Sequence, residues 1–188
     1  MRYLFGFFIT VGLIILLIVL LVTGGNKSKV PNTSKTLASY ANSTAVVRLT
    51  IDGPINSVQD HRASRITVGR DNTTYEQLQG YDGNVTLLQT YPNTPTSYGT
   101  FLRAIALAGF TKGDTASALK NDRGYCPLGS RFIFELEDNG QQLERFWSTS
   151  CSGAKSFLGN ANLIVNLFKR QVPDFNKMND QSSVGSFF

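Results

Sequence analysis

The segment Arg131–Ser148, which reads RFIFELED-NG-QQLERFWS, decides the fold of this chain. Two runs of alternating apolar and polar residues flank Asn139-Gly140, the strongest two-residue signal for a β-hairpin. If the turn alone sets the register, Leu136 faces Leu143 and Phe132 faces Trp147, which makes the only tryptophan a core residue. The segment therefore predicts an antiparallel sheet.

The same register has a consequence for the other side of the hairpin. It places Glu135 opposite Glu144, and two like charges directly opposite each other destabilise a strand pair. We therefore expect this side of the sheet to face solvent.

Upstream of the hairpin, four short segments have the composition of strands. Each is alternating or β-branched, and they are separated by turn residues such as Asp52-Gly53-Pro54 and Tyr81-Asp82-Gly83. Because the connections are short, we predict an antiparallel meander. The four segments are Ala45–Asp52, Ala63–Arg70, Thr73–Gln79 and Asn84–Tyr91.

Two helices are predicted, each with its own start signal. The first has Thr94 as N-cap and Pro95 at its first position, and its apolar stripe is Tyr98, Phe101, Leu102 and Ile105. The second runs from Asn160 to Gln171, with a stripe of Leu163, Ile164, Leu167 and Phe168. An antiparallel sheet with two amphipathic helices packed on one face is an α+β domain.

Cys126 and Cys151 are the only cysteines, and they flank the hairpin. Extending the register outward brings them close together. A disulfide there would close a loop of about 25 residues, worth roughly 3 kcal/mol, and would fit an oxidising compartment. Two free buried thiols are the alternative. Two cysteines and one histidine are too few for a four-ligand zinc site.

The amino-terminal segment Leu4–Val22 is uncharged and long enough to cross a bilayer as a helix. No small-x-small cleavage site follows, so we predict an uncleaved anchor, with a signal peptide cleaved near Gly24 or Gly25 as the alternative. Lys27, Lys29 and Lys35 favour a cytoplasmic domain by the positive-inside rule. The cysteines favour an extracytoplasmic one, which we predict.

The predicted organisation has four parts. Residues 1–25 are a transmembrane anchor, 26–43 a flexible polar stalk, 44–173 the extracytoplasmic domain, and 174–188 a disordered tail. The net charge of the chain is +5, and its basic residues are scattered singly rather than clustered. We therefore predict no nucleic-acid partner.

Catalytic motifs are weak in this sequence. Ser152-Gly153-Ala154-Lys155 has the Ser-x-x-Lys spacing of penicillin-recognising enzymes, but the partner motifs are missing and Gly153 disfavours a helix. His61 lies in a polar stretch typical of an exposed loop, which argues against a Cys–His pair. No spacing selects an acid–base pair among the carboxylates, and no phosphate loop, dinucleotide motif or metal cluster is present. We predict no catalytic residue, no metal and no cofactor.

Several segments resemble one group of proteins. They are the opening MRYLFGFFITVG and residues 49–55 (LTIDGPI), 61–72 (HRASRITVGRDN), 101–113 (FLRAIALAGFTKG), 126–140 (CPLGSRFIFELEDNG), 146–151 (FWSTSC) and 167–175 (LFKRQVPDF). The chain resembles single-pass membrane proteins of small-genome, candidate-phylum bacteria such as the Saccharibacteria. The resemblance implies a bacterial envelope location, and it carries no activity, catalytic residue or ligand.

These features predict a membrane-tethered extracytoplasmic domain, not an enzyme, that contacts the lipid bilayer through residues 4–22 and binds another envelope component, most simply a protein. An accessory subunit of an envelope assembly of the secretion or pilus type is the alternative, and an envelope hydrolase is the third. Exposed aromatic and basic loop residues are the candidates for surface contacts: Tyr81, Tyr91 and Arg123.

Overall fold

The structure, a computed structural model, describes residues 36–178. Six strands form one antiparallel sheet in the order β4-β3-β2-β1-β5-β6. This confirms the predicted meander and hairpin, and β1 joins the two because it pairs with both β2 and β5. The strands are β1 Val46–Asp52, β2 Arg62–Val68, β3 Asn72–Gln79, β4 Asn84–Pro92, β5 Arg131–Asp138 and β6 Gln141–Thr149.

Two α-helices follow the two strand groups, α1 over Pro95–Leu107 and α2 over Ala161–Lys169. Both predicted N-caps are confirmed. The Thr94 side chain accepts a hydrogen bond from the Ser97 N–H at 3.2 Å, and the Asn160 side chain accepts one from the Leu163 N–H at 3.0 Å. Each cap satisfies an amide that the first helical turn leaves without a partner.

Both helices pack on one face of the sheet, which we call the inner face. The domain is therefore α+β, as predicted. Burying a large aliphatic or aromatic side chain of this core contributes about 1.5–3 kcal/mol. The core includes Val47, Leu49, Ile66, Tyr75, Phe134 and Phe146 of the sheet, Tyr98, Phe101, Leu102 and Ile105 of α1, and Ile164, Val165 and Phe168 of α2.

The predicted apolar stripe of α2 is partly wrong. Leu163 is 46% exposed, whereas Val165, which the stripe omits, is buried. The face of α2 that meets the sheet is thus centred on Ile164 and Phe168, and Leu163 lies on its solvent side. Helical spacing identifies neighbouring positions, but the rotation of the helix depends on what it packs against.

The predicted hairpin register is wrong by one residue. Beyond the turn the pairing shifts from Glu137↔Gln142 to Leu136↔Glu144, so that Leu143 is an extra residue in β6. Such a β-bulge moves every later side chain of β6 to the face opposite the one that the turn alone would give it. The observed pairs are consequently Glu135↔Arg145, Ile133↔Trp147 and Phe132↔Ser148. The like-charge pair of Glu135 and Glu144 does not form.

The ordered domain extends beyond the predicted boundaries of residues 44 and 173. Leu37–Asn42 forms a 3₁₀ helix with Leu37 buried in the core, within the predicted stalk. At the other end, Val172 and Phe175 are buried, and residues 175–178 form a helical turn within the predicted tail. Apolar side chains at both ends add to the core.

The predicted span Leu4–Val22 and most of the predicted stalk lie outside the described residues. Within residues 36–178, no helix is both long enough and apolar enough to cross a bilayer.

Candidate functional site

The outer face of the sheet, opposite α1 and α2, is charged. Arg48 of β1 lies 3.7 Å from Glu135 and 3.4 Å from Glu137 of β5, and Arg65 of β2 lies 3.5 Å from Glu76 of β3. Because side chains alternate along a strand, the positions between the core residues all point to this face. The outer face is therefore the polar side of the domain.

At one end of the outer face, Asp52 binds two buried side chains. Its Oδ1 accepts a hydrogen bond from His61 Nε2 at 2.8 Å, and its Oδ2 accepts one from Arg131 Nη2. The other ring nitrogen, His61 Nδ1, lies 3.1 Å from the carbonyl oxygen of Pro54. His61 is only 2% exposed and Arg131 only 4%. Asp52 thus links the β1–β2 loop to β5.

The prediction that His61 lies in an exposed loop is wrong. Its ring stacks on Tyr81 with centroids 4.1 Å apart and an angle of 16°. The Tyr81 hydroxyl donates to the Asn56 carbonyl at 2.8 Å and accepts from the Asn56 N–H at 3.0 Å. The polar neighbours of His61 in the chain are exposed, but the ring itself is buried where it contacts Asp52 on the outer face.

A loop, residues 111–130, covers the outer face of β6. Trp147 donates its indole N–H to the Leu119 carbonyl at 2.7 Å, and its ring lies 4.8 Å from that of Tyr125. Arg145 donates to Asp122 at 2.5 Å. Trp147 is fully buried, as expected, but on the side of the sheet opposite the helices. The bulge in β6 is the reason.

Cys126 and Cys151 lie at disulfide distance, with Cα atoms 5.6 Å apart, as the hairpin predicts. The bridge fastens the 111–130 loop to the end of β6. One residue further on, the Pro127 carbonyl accepts a hydrogen bond from the Ile55 N–H at 2.8 Å. The loop is therefore joined to the β1–β2 loop as well.

These loops and the β3–β4 turn enclose a cleft of about 580 Å³ above the outer face. Two arginines that line it, Arg65 and Arg131, each have a buried Nε–H without a hydrogen-bond acceptor. An unsatisfied buried donor is rare in folded proteins and calls for an explanation. We call this cleft the outer cleft; its polar lining includes Asp52, His61, Arg65, Tyr81, Arg123 and Arg131.

The outer cleft contains two of the three surface residues nominated from the sequence, Tyr81 and Arg123. Tyr91 lies elsewhere, half-buried on β4 with its hydroxyl 3.7 Å from Met178 Sδ. The sequence analysis missed the roles of Asp52, His61 and Arg131. Their proximity follows from the pairing of β1 with β5, and no local pattern signals it.

The catalytic candidates do not form a catalytic arrangement. Residues 151–155 are not helical, so Ser152 and Lys155 are not one helical turn apart. Cys126 and Cys151 are paired with each other. A general base needs an accessible lone pair, whereas both ring nitrogens of His61 already contact oxygen atoms beneath Tyr81.

Within residues 36–178, no three His, Cys, Asp or Glu side chains are grouped so that they could hold a metal ion. No protein-family model matches the sequence, and no curated protein is significantly similar to it. The fold and site together define an α+β domain with a polar cleft on the side of its sheet opposite the helices.

Proposed function

We propose that this protein is a non-enzymatic binding domain, tethered to the membrane by Leu4–Val22, that holds part of another envelope protein in the outer cleft. The cleft carries this proposal. It has the volume of a ligand site, about 580 Å³, its walls are joined by a disulfide and by the Tyr81–Asn56 hydrogen bonds, and its one histidine is enclosed. This combination suits binding better than turnover.

The proposed location is extracytoplasmic. The Cys126–Cys151 pair supports it, because disulfides persist in oxidising compartments and are rare in the cytosol. Labelling of intact cells with a membrane-impermeant maleimide tests the location. We expect labelling only after treatment with an impermeant reductant. Labelling that requires cell lysis but no reductant would place free thiols in the cytoplasm and contradict the proposal.

Site-specific photo-crosslinking in the membrane of the native cells tests the binding function. A photoreactive amino acid replaces Arg123 at the outer cleft in one variant of the full chain. In the matched control it replaces Leu107, which is 89% exposed on α1. We expect an adduct of defined mass from position 123 only. Equal adducts from both positions, or none from position 123, would contradict the proposal.

An accessory subunit of an envelope assembly is the second candidate, and strand β4 favours it. β4 is an outer strand of the sheet, exposes Val85 and Leu88, and contains no charged residue. Charged residues commonly protect edge strands from pairing with other chains. The opposite edge, β6, is partly covered, because the Trp147 carbonyl accepts hydrogen bonds from the N–H groups of Ser156 and Phe157. In this function β4 would pair with a strand of a neighbouring subunit.

Two experiments distinguish the candidates: a charge placed on the β4 edge, and replacement of the apolar span. Leu88→Lys places a charge on the β4 edge, and Leu163→Lys places one on an exposed position of α2 as the control. If the protein is an assembly subunit, only Leu88→Lys releases it from a high-molecular-weight complex in a detergent extract. Replacing Leu4–Val22 by an unrelated apolar span leaves a tethered binder functional, whereas a subunit that uses the span for contact loses function.

A further inference from the structure

We propose that strand β4 pairs with β4 of a second copy of this chain, antiparallel and about a twofold axis at Gln89, so that two six-stranded sheets join into one. No residue of β4 lines the outer cleft, so this inference goes beyond the proposed binding function. It assigns one occupant to the edge that the second candidate function leaves to a neighbouring subunit.

The first argument is which backbone groups of β4 lack a partner. The Asn93 N–H donates to the Asp71 carbonyl at 2.9 Å, in register with the pairing of β3 and β4. Because hydrogen-bonded pairs alternate along an antiparallel ladder, every second residue from Asn93 back to Leu87 also bonds to β3. The N–H and C=O groups of Leu88 and Thr90 therefore point away from the sheet. Among residues 36–178, β3 is the only strand that pairs with β4.

Both ends of this free edge are fixed by particular residues. At one end, Pro92 occupies the next outward-facing position, and proline has no N–H to donate. At the other end, Thr86 is an extra residue where the register with β3 shifts, and such a bulge interrupts regular pairing. The regular stretch is Leu87–Tyr91, and its central residue is Gln89.

The second argument is that this stretch matches itself. A twofold axis at Gln89 places Leu88 opposite Thr90 of the second copy and Thr90 opposite Leu88 of the second copy. Each pair exchanges two backbone hydrogen bonds, so all the outward groups of both residues are satisfied. An axis one residue to either side would place Thr90 opposite the bulge at Thr86, or Leu88 opposite Pro92, and hydrogen bonds would be lost. Pairing of identical surfaces about a twofold axis is the commonest arrangement of protein dimers.

The third argument is the set of side chains that this register brings together. Leu87 and Tyr91, both half-buried against the core on the inner face, lie opposite each other across the axis. Gln89 lies opposite Gln89 of the second copy, and an amide can both donate and accept. Because β4 contains no charged residue, no like charges meet in a pairing of two copies. A second copy thus supplies an uncharged strand of the required length.

Disulfide crosslinking tests the pairing, with two differently tagged copies of the full chain expressed together in the native cells. Gln89→Cys places two thiols at a non-hydrogen-bonded pair, where Cα atoms are about 4.5 Å apart and within disulfide range. Both native cysteines are bonded to each other, so the introduced thiol is the free one. We expect mild oxidation to link the two tags.

The matched control is Asn84→Cys, which changes an exposed residue of the same strand. In the proposed register its two thiols would be about 30 Å apart, at about 3.4 Å per residue along the strands. We expect no link between the tags from this position.

A charge exchange at Gln89 tests the register in a second way. Gln89→Lys in both copies, or Gln89→Glu in both copies, places like charges directly opposite each other. Co-purification of the two tags from a mild detergent extract should be lost in each case. One copy with Gln89→Lys and the other with Gln89→Glu should restore it. This restoration separates a loss of pairing from a loss of folding.

Four results would overturn the inference. Equal links from positions 84 and 89 would show chance collision, and no link from position 89 would show that β4 does not meet itself there. A disulfide from position 89 to a different protein would assign the edge to another subunit. Mixed charges that fail to restore co-purification would remove the axis from Gln89. The photo-crosslinking at Arg123 does not involve β4, so it decides the cleft-binding function separately.

Discussion

Trp147 donates its indole N–H to the carbonyl oxygen of Leu119 at 2.7 Å, from the face of the sheet opposite the helices. This bond holds the 111–130 loop against β6. The Cys126–Cys151 bridge joins the same loop to the residues that follow β6. The wall of the outer cleft therefore depends on a covalent link and on polar links, among them the Arg145–Asp122 contact. Since Trp147 is the only tryptophan, its fluorescence reports on this wall directly.

Removing the disulfide should loosen the wall and lower stability. We expect Cys126→Ser with Cys151→Ser to reduce the free energy of unfolding by about 3 kcal/mol, because the unfolded chain gains entropy. Quenching of Trp147 fluorescence by acrylamide should increase. Urea denaturation followed by fluorescence measures both effects. Dithiothreitol should have no effect on the double variant, and an unchanged urea midpoint would contradict the prediction.

Removing the charge of Asp52 should destabilise the domain. Asp52→Asn leaves the buried Arg131 guanidinium without its counter-charge, and breaking a buried pair from one side costs about 3 kcal/mol. The matched control is Asp71→Asn, since Asp71 pairs with Arg70 on the exposed surface. We expect no measurable change in the control. Thermal denaturation of both variants would test this, and similar melting temperatures would refute it.

Glu144 should make stability depend on pH. Burial raises the pKa of its carboxyl group. At pH values between the unfolded and the folded pKa, the folded state therefore holds a proton that the unfolded state releases. Stability therefore falls as pH rises from about 4.3, the ordinary glutamate pKa, through the raised value. Glu144→Gln should stabilise the protein at neutral pH and have little effect at pH values below that window.

The control for Glu144 is Asp82→Asn, which removes a carboxylate from the exposed β3–β4 turn. Urea denaturation at a series of pH values measures the difference between the two variants. A stabilisation by Glu144→Gln that persists unchanged into acid would argue against desolvation of the carboxylate as its cause.

Tyr98→Phe should cost about 1 kcal/mol of stability. The Tyr98 hydroxyl donates to the Ala45 carbonyl at 2.8 Å in the core, and the variant leaves that oxygen without this donor. Burial also raises the pKa of Tyr98, so this tyrosine should stay protonated in an alkaline absorbance titration of the folded protein. Tyr91→Phe, which removes only a weak contact with Met178 Sδ, should be nearly neutral.

Local signals were sufficient for the elements of secondary structure. The six strands, both helices, the two N-caps and the cysteine pairing follow from alternation, capping residues and the Asn139-Gly140 turn, and each depends on residues close in sequence. The register of β6 did not follow, because a bulge at Leu143 leaves no compositional mark. That single residue moved Trp147 to the other face.

The sequence by itself determined an antiparallel sheet with two helices, since periodicity and turn chemistry are properties of short segments. Only the tertiary structure decided where the outer cleft lies and which residues line it. Asp52, His61 and Arg131 come from three different parts of the chain, and they meet because β1 pairs with β5 while Tyr81 closes over the β1–β2 loop. Pairings between distant strands depend on the packing of the whole domain, so no local pattern contains them.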